Sequence, residues 1–299
     1  MNSMNSEQYL RPDVIQTIKR LDLRAKFIVK GFLQGLHASP FQGFSVEFSE
    51  HRRYTPGDDP DDIDWLAYAK TDKYYVKKFE AQTNITGWLI VDASKSMGYS
   101  SGETLTKFDY CISLAAALGY LMISQQDPVG LITFDQKLKQ CLKPHSRRGQ
   151  LAQILSLLTQ LTPTGETNLA QSLIQTAAML RHKSLLIVFT DLLTDKDELI
   201  QALYRLRHAG HDIILFHIFD QAELDFPFEG DVEMTDSESG EVVHLNADGV
   251  REQYVKQIEE FKAFYMQQCS QARIDYVPLS TNMPFDKALT KYLLSRKGR

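Results

Sequence analysis

Three short segments of this 299-residue chain carry oxygen-bearing side chains at spacings that could hold a cation. They are Asp92-Ala-Ser94-Lys-Ser96-Met, Thr164-Gly-Glu-Thr167-Asn-Leu and Phe189-Thr-Asp191. In Asp-x-Ser-x-Ser, alternate side chains at an extended strand end point the same way. Both hydroxyls can then reach one ion while the carboxylate anchors it, directly or through water. Asp191 could supply a second charge. Two carboxylates and three hydroxyls form a hard, all-oxygen set of low charge, which suits Mg²⁺ or Mn²⁺ with several waters retained. Taken singly, each member also fits a helix cap, since Ser94, Ser96 and Thr167 precede helical patterns and Asp191 could cap the helix that follows it. Capping does not by itself predict that all five gather at one edge.

Other chemistries find weaker support. Gly98-Tyr-Ser100-Ser-Gly102 matches Gly-x-Ser-x-Gly, but a nucleophile elbow falls at the strand-to-helix turn, and Ser100 lies eight residues beyond Asp92. No Gly-x-x-x-x-Gly-Lys-Ser/Thr loop is present, so the chain is not expected to hydrolyse ATP itself. A phosphatase with a strand-end Asp nucleophile would want a second carboxylate two residues later, where Ser94 stands. A metal-dependent phosphohydrolase centred on Asp92 and Asp191 is kept as the alternative to a non-enzymatic module. Asp58-Asp-Pro-Asp-Asp-Ile-Asp64 lacks EF-hand spacing and is interrupted by Pro60, so it reads as a solvated turn, with Asp64 capping a helix at Trp65. Tyr54 and Trp65 read as packing anchors. The eight histidines show no paired metal-ligand spacing, and most are expected at the surface. No catalytic dyad can be picked out.

The elements that must position these residues alternate in type from 86 onward. Gly87–Asp92, Val129–Phe134, Leu185–Thr190, Ile213–Phe219 and Ile274–Leu279 are short apolar runs that read as buried strands. Between them lie helical patterns at Leu105–Gln125, Gly149–Leu161, Leu169–Arg181, Asp195–His208 and Val250–Ala272, with a last helix at Phe285–Arg296. Helices of this length imply crossovers, hence an α/β, doubly wound, mostly parallel sheet of Rossmann type. Only Asp135 and Gln136 separate Val129–Phe134 from a short strand at Lys137–Leu142, which is therefore expected to run antiparallel at one edge. In such sheets ligands bind at the carboxyl ends of the strands, where all three oxygen-rich segments fall. Residues 1–85 break the rhythm: Pro12 to Leu36 is helical in spacing, and Phe41 to Pro60 is aromatic and irregular. They are expected to form an extension that packs on a sheet domain at 86–299. Within 221–249, two alternating runs around Ser237-Glu-Ser-Gly240 predict an inserted β-hairpin.

The set Asp92, Ser94, Ser96, Thr167 and Asp191 resembles the metal-ion-dependent adhesion site of von Willebrand factor A domains. That resemblance implies these five residues as a metal shell. Upstream, the stretch from Ser39 through Glu47, Glu50, Arg52, Tyr54, Gly57 and Asp58 to Ile63-Asp64-Trp65 is similar to the signature of a bacterial family called domain of unknown function fifty-eight. The similarity continues through Tyr75-Val-Lys-Lys-Phe79 and Thr235-Asp-Ser-Glu-Ser-Gly-Glu241. The chain departs from that family in carrying Asp61 and Asp62 shortly before Ile63-Asp64-Trp65, where a basic residue is usual. The resemblance implies a divalent-cation-dependent protein-interaction module, working with a MoxR-type AAA+ ATPase or a client protein. A Glu or Asp of the partner would complete the metal's coordination.

Charge bounds the partners further. The formal net charge is −5, which gives no electrostatic footprint for indiscriminate nucleic-acid binding. Residues 220–249 hold ten Asp or Glu and no Lys or Arg, marking a candidate second contact surface. Three widely spaced cysteines, Cys111, Cys141 and Cys269, argue against a disulfide framework or thiolate zinc site. The start of the sequence has no basic-then-apolar leader pattern and no run long enough to span a membrane, so a cytoplasmic, soluble protein is expected.

Overall fold

The computed structural model describes residues 10–38, 48–53, 75–79, 85–102, 105–237 and 240–297. In chain order the elements are helices α1 (Pro12–Gln16) and α2 (Leu21–Ala38), strands β1 (Phe48–Arg53), β2 (Tyr75–Phe79) and β3 (Gly87–Asp92), then α3 (Lys107–Ser124). They continue with β4 (Val129–Phe134), β5 (Leu138–His145), α4 (Arg148–Gln160), α5 (Leu169–Met179), β6 (Leu185–Thr190), α6 (Lys196–His208) and β7 (Asp212–Phe219). The chain closes with α7 (Gln221–Asp225), β8 (Asp231–Thr235), β9 (Val242–Asn246), α8 (Ala247–Gln271), β10 (Asp275–Ser280) and α9 (Phe285–Lys297). The chain divides into two compact units, one made of residues 1–32 with 85–299 and the other of residues 33–84. In the smaller unit β1 and β2 pair antiparallel, with a register shift between Phe48 and Glu50. Part of the stretch read as irregular is thus a strand. The Asp58–Trp65 loop lies outside the described residues.

The larger unit is built on a six-stranded sheet of order β10-β7-β6-β3-β4-β5. All neighbours are parallel except β4 and β5, which form the expected antiparallel edge. Strands β3, β4 and β6 are buried along their whole length, which is why they read as continuous apolar runs. After β3 the chain builds β4 and β5 on one side, then crosses back to place β6 on the other. The carboxyl ends of β3 and β6 therefore flank the switch point where such sheets bind ligands.

One face of the sheet presents Ile90, Ile132 and Val188 to Leu173 of α5, Leu203 of α6 and Tyr265 of α8 in a single buried cluster. On the other face lies α3, fifteen of whose residues are buried, so it has almost no solvent side and reads as apolar all round. Phe285 of α9 stacks on Tyr110 of α3 with ring centroids 4.5 Å apart. The sequence pattern from Pro12 to Leu36 is broken into two helices, since the Thr17 hydroxyl donates to the Val14 carbonyl and closes α1. In the same unit, the Phe285 amide donates to the Leu10 carbonyl, and Arg24 donates to Ser113 of α3.

Gly130 sits mid-strand for a steric reason. It is the lateral partner of Trp88, and a Cβ there would lie 2.7 Å from the indole and 2.9 Å from the Leu142 carbonyl oxygen. Gly130→Ala is expected to cost about 1–3 kcal/mol of stability through overpacking, measured as a lowered urea midpoint with unchanged slope.

Candidate metal centre

The loop after β3 is laced to the loop before α5 by backbone hydrogen bonds. Thr164 donates to Ala93 at 2.9 Å and Lys95 to Gly165 at 2.9 Å, while Ala93 donates to Phe134 at the end of β4. Gly165 turns this second loop with φ +73°, and a Cβ there would press on Asp135 at 3.2 Å. The lacing brings Thr167 over the end of β3. Asp92 Oδ1 accepts the Ser94 amide at 2.9 Å, and Oδ2 accepts the hydroxyls of Thr167 at 3.3 Å and Thr190 at 2.8 Å. Ser94 and Ser96 share a hydroxyl contact of 3.1 Å, and the Ser96 side chain hydrogen-bonds Asp191. The structure therefore places all five sequence-predicted residues in one cluster. Asp92, Ser94, Ser96 and Asp191 are buried and Thr167 is half-buried.

None of these side chains is spent on a helix cap. Ser94 precedes a 3₁₀ turn at Lys95–Gly98 but makes no side-chain cap bond. Asn168 caps α5 and Asp195 caps α6. Ser100, the decoy nucleophile, donates its hydroxyl to the Gly102 carbonyl.

Residues not anticipated from sequence complete the cluster. Lys107, the first residue of α3, is 1% exposed and donates from Nζ to Asp191 Oδ2 at 2.9 Å and to Glu223 Oε1 at 2.7 Å. Glu223 also accepts the Asp220 amide at 2.7 Å within the capping box that opens α7. That Asp-x-x-Glu spacing was the readable signal for its position. Thr190, inside the quoted Phe189-Thr-Asp191, holds Asp92 and accepts the Leu192 amide at 3.1 Å. His217 is fully buried, against the expectation for most histidines. It bonds the Asp191 carbonyl through Nε2 at 2.9 Å and the Tyr276 hydroxyl through Nδ1 at 2.7 Å. Burial depresses it to about 3, so it is neutral.

The electrostatics distinguish the two aspartates. Burial, then the negative charge of Asp191, pushes Asp92 up to about 7. For Asp191 burial acts in the same direction but is outweighed by the Lys107 ammonium and by hydrogen bonds, which hold it below the usual carboxylate range. Burial raises Glu223 despite its contact with Lys107, whereas its two anionic neighbours raise Lys107 against burial. Fully ionised, three carboxylates face one ammonium, a deficit of two charges. Among the described residues Asp92 is bonded by neutral donors and has no cationic partner. Among the same residues no three His, Cys, Asp or Glu side chains are grouped to hold a metal, so an ion here would draw on hydroxyl oxygens. This chemistry fits a hard divalent cation held by Asp92, Ser94, Ser96 and Thr167.

Two expectations follow. In cation-free buffer, Asp92 favours its protonated form more in the folded than in the unfolded chain. Its contribution to stability is then greatest below the unfolded-state pKa and is lost as pH rises through about 7. Asp92→Asn should flatten that pH dependence and raise stability at pH 8 by about 1–3 kcal/mol in urea unfolding. Lys107→Met, which leaves Asp191 charged and unpaired, should cost about 3–5 kcal/mol in the same measurement.

The model of a family described as "Protein of unknown function DUF58" matches residues 50–263. Relatives include the uncharacterized proteins Rv1480 of Mycobacterium tuberculosis and Mb1516 of Mycobacterium bovis. Each is 24% identical over 292 residues, covering 96% of this chain and 90% of the relative. Similar solved structures include the conserved hypothetical protein BatB from Bacteroides thetaiotaomicron, at 16% identity and TM-score 0.49, covering 71% of this chain and 99% of that one. Another is the SpRpn10 VWA domain, at 15% identity and TM-score 0.39, covering 69% of this chain and 94% of that one. With most of its length matched by the family model, the chain belongs to the family of proteins of unknown function named DUF58.

Proposed function

We propose that the chain is a non-enzymatic, divalent-cation-dependent protein-interaction module whose partner presents an acidic side chain. The observation that carries this is the buried Asp92, without a cationic partner among the described residues, bonded by Ser94, Thr167 and Thr190 and linked to Ser96 through the Ser94 hydroxyl. A bound Mg²⁺ or Mn²⁺ supplies an open coordination position for a carboxylate oxygen. Thr190 and the Ser94 amide fix the Asp92 carboxylate, and Lys107 holds Asp191 behind Ser96. Lys107, shared between Asp191 and Glu223, offsets one of the two carboxylates beside Asp92, and a bound divalent cation would offset the remaining two negative charges. The site can then attract a partner's carboxylate rather than repel it. The resemblance to the family supports a MoxR-type AAA+ ATPase as partner, and the wide spacing of the three cysteines supports a cytoplasmic setting. Among the described residues no helix is long and apolar enough to cross a membrane. Asp191, the second carboxylate on which the phosphohydrolase alternative relies, is paired with Lys107, which does not favour that alternative.

Calorimetric titration of Mg²⁺ and Mn²⁺ should show binding to the wild type and at least tenfold weaker binding to Ser94→Ala/Ser96→Ala. Capture of a purified MoxR-type ATPase should require the cation and be lost in chelator. Equal metal binding by both proteins, or by neither, would sink the site. Turnover of p-nitrophenyl phosphate abolished by Asp92→Ala would replace the module with the phosphohydrolase.

A further inference from the structure

The acidic hairpin does not lie on a packed core. Val232 pairs with Leu245 and Met234 with Val243, so β8 and β9 together present an apolar face. Two clefts open against it. One, of about 610 Å³, separates the hairpin from α8 and is lined by Val243 and Leu245. The other, of about 550 Å³, is lined by Val232 and Met234 and runs to Ser96 and Lys107. A two-stranded ribbon is marginal in water on its own, and an apolar face over open volume gains its burial only when something enters.

The wall facing Met234 is aromatic and firmly built. Phe226 adopts φ 47°, a costly conformation for an aromatic residue. Its ring is held against Phe228 at 5.2 Å and Tyr254 at 4.5 Å between centroids. Arg251 ties this turn down by donating to the carbonyls of Phe226 and Phe228. The cleft thus has an apolar middle and a floor that is part of the candidate metal centre. Its rim belongs to a stretch, 220–249, with ten acidic residues and no Lys or Arg.

From this arrangement we infer that the cleft under the hairpin binds an extended segment of the partner protein, in which an acidic residue is followed by a large apolar residue and then a basic one. The acidic side chain reaches the metal centre past Ser96. The apolar side chain fills the space between Met234, Phe226 and Tyr254, and the basic side chain meets the acidic rim at Asp236. Three extended residues span about 10 Å. This inference deepens the metal-dependent reading and rests on it for the acidic position alone.

The test is selection of a displayed random heptapeptide library on the full chain in millimolar Mg²⁺, followed by fluorescence anisotropy with the consensus peptide. The expected consensus is Asp or Glu, then Leu, Ile, Met or Phe, then Lys or Arg. Its binding should need Mg²⁺ and weaken at least tenfold in Met234→Asp and in Tyr254→Ala, with calorimetric Mg²⁺ binding unchanged in both. A consensus of acidic residues alone, indifferent to both variants, overturns the cleft and leaves the metal reading standing. An apolar-basic consensus that ignores Mg²⁺ and the Ser94→Ala/Ser96→Ala pair supports the cleft and overturns the metal reading. No enrichment over background overturns the proposal.

Discussion

A lysine ammonium withdrawn from water organises the edge of this sheet. Lys107 is too buried to be solvated, so its charge is tolerable only with anionic partners, and it has two: Asp191 after β6 and Glu223 in α7. One side chain thereby fixes the amino end of α3, the tip of a central strand and the short helix that leads into the hairpin. It also determines what remains for Asp92. With Lys107 committed elsewhere, the carboxylate at the end of β3 is supported, among the described residues, by amide and hydroxyl dipoles.

That division of labour resolves two aspartates of similar appearance into different roles. Asp191 is an anchored, permanently ionised group within a structural ion pair. Asp92 is enclosed in neutral donors, and burial with the nearby Asp191 charge holds it well above the usual carboxylate range. An enclosed carboxylate of this kind lowers the stability of the isolated chain.

Much of this architecture was legible in the sequence. Strands β3, β4 and β6 begin and end where their apolar runs do, because strands covered on both faces must be apolar throughout. That Asp92, Ser94, Ser96, Thr167 and Asp191 would gather was legible because each sits next to a strand end or turn whose position follows from that pattern. Lys107, Glu223 and His217 were not, since their roles come from contacts spanning 84, 116 and 26 residues that no local spacing encodes. Sequence reasoning treats a lysine opening a helix as a solvated end and a histidine in a chain as a surface group; here tertiary packing removed both from water. The break between α1 and α2 was hidden for the opposite reason. The apolar spacing continues across it, while a hydroxyl-to-carbonyl bond at Thr17 ends the first helix locally.

The lacing around Asp92 has a consequence for when the site comes into being. Its bonds join residues 75 and 98 positions apart, and the Lys107 bridge adds links of 84 and 116. No fragment ending before β6 can assemble the Asp92 cluster, and none ending before α7 can close the ion pair that steadies it. The edge therefore forms only after the chain through α7 is present, and copies cut short before that point lack it.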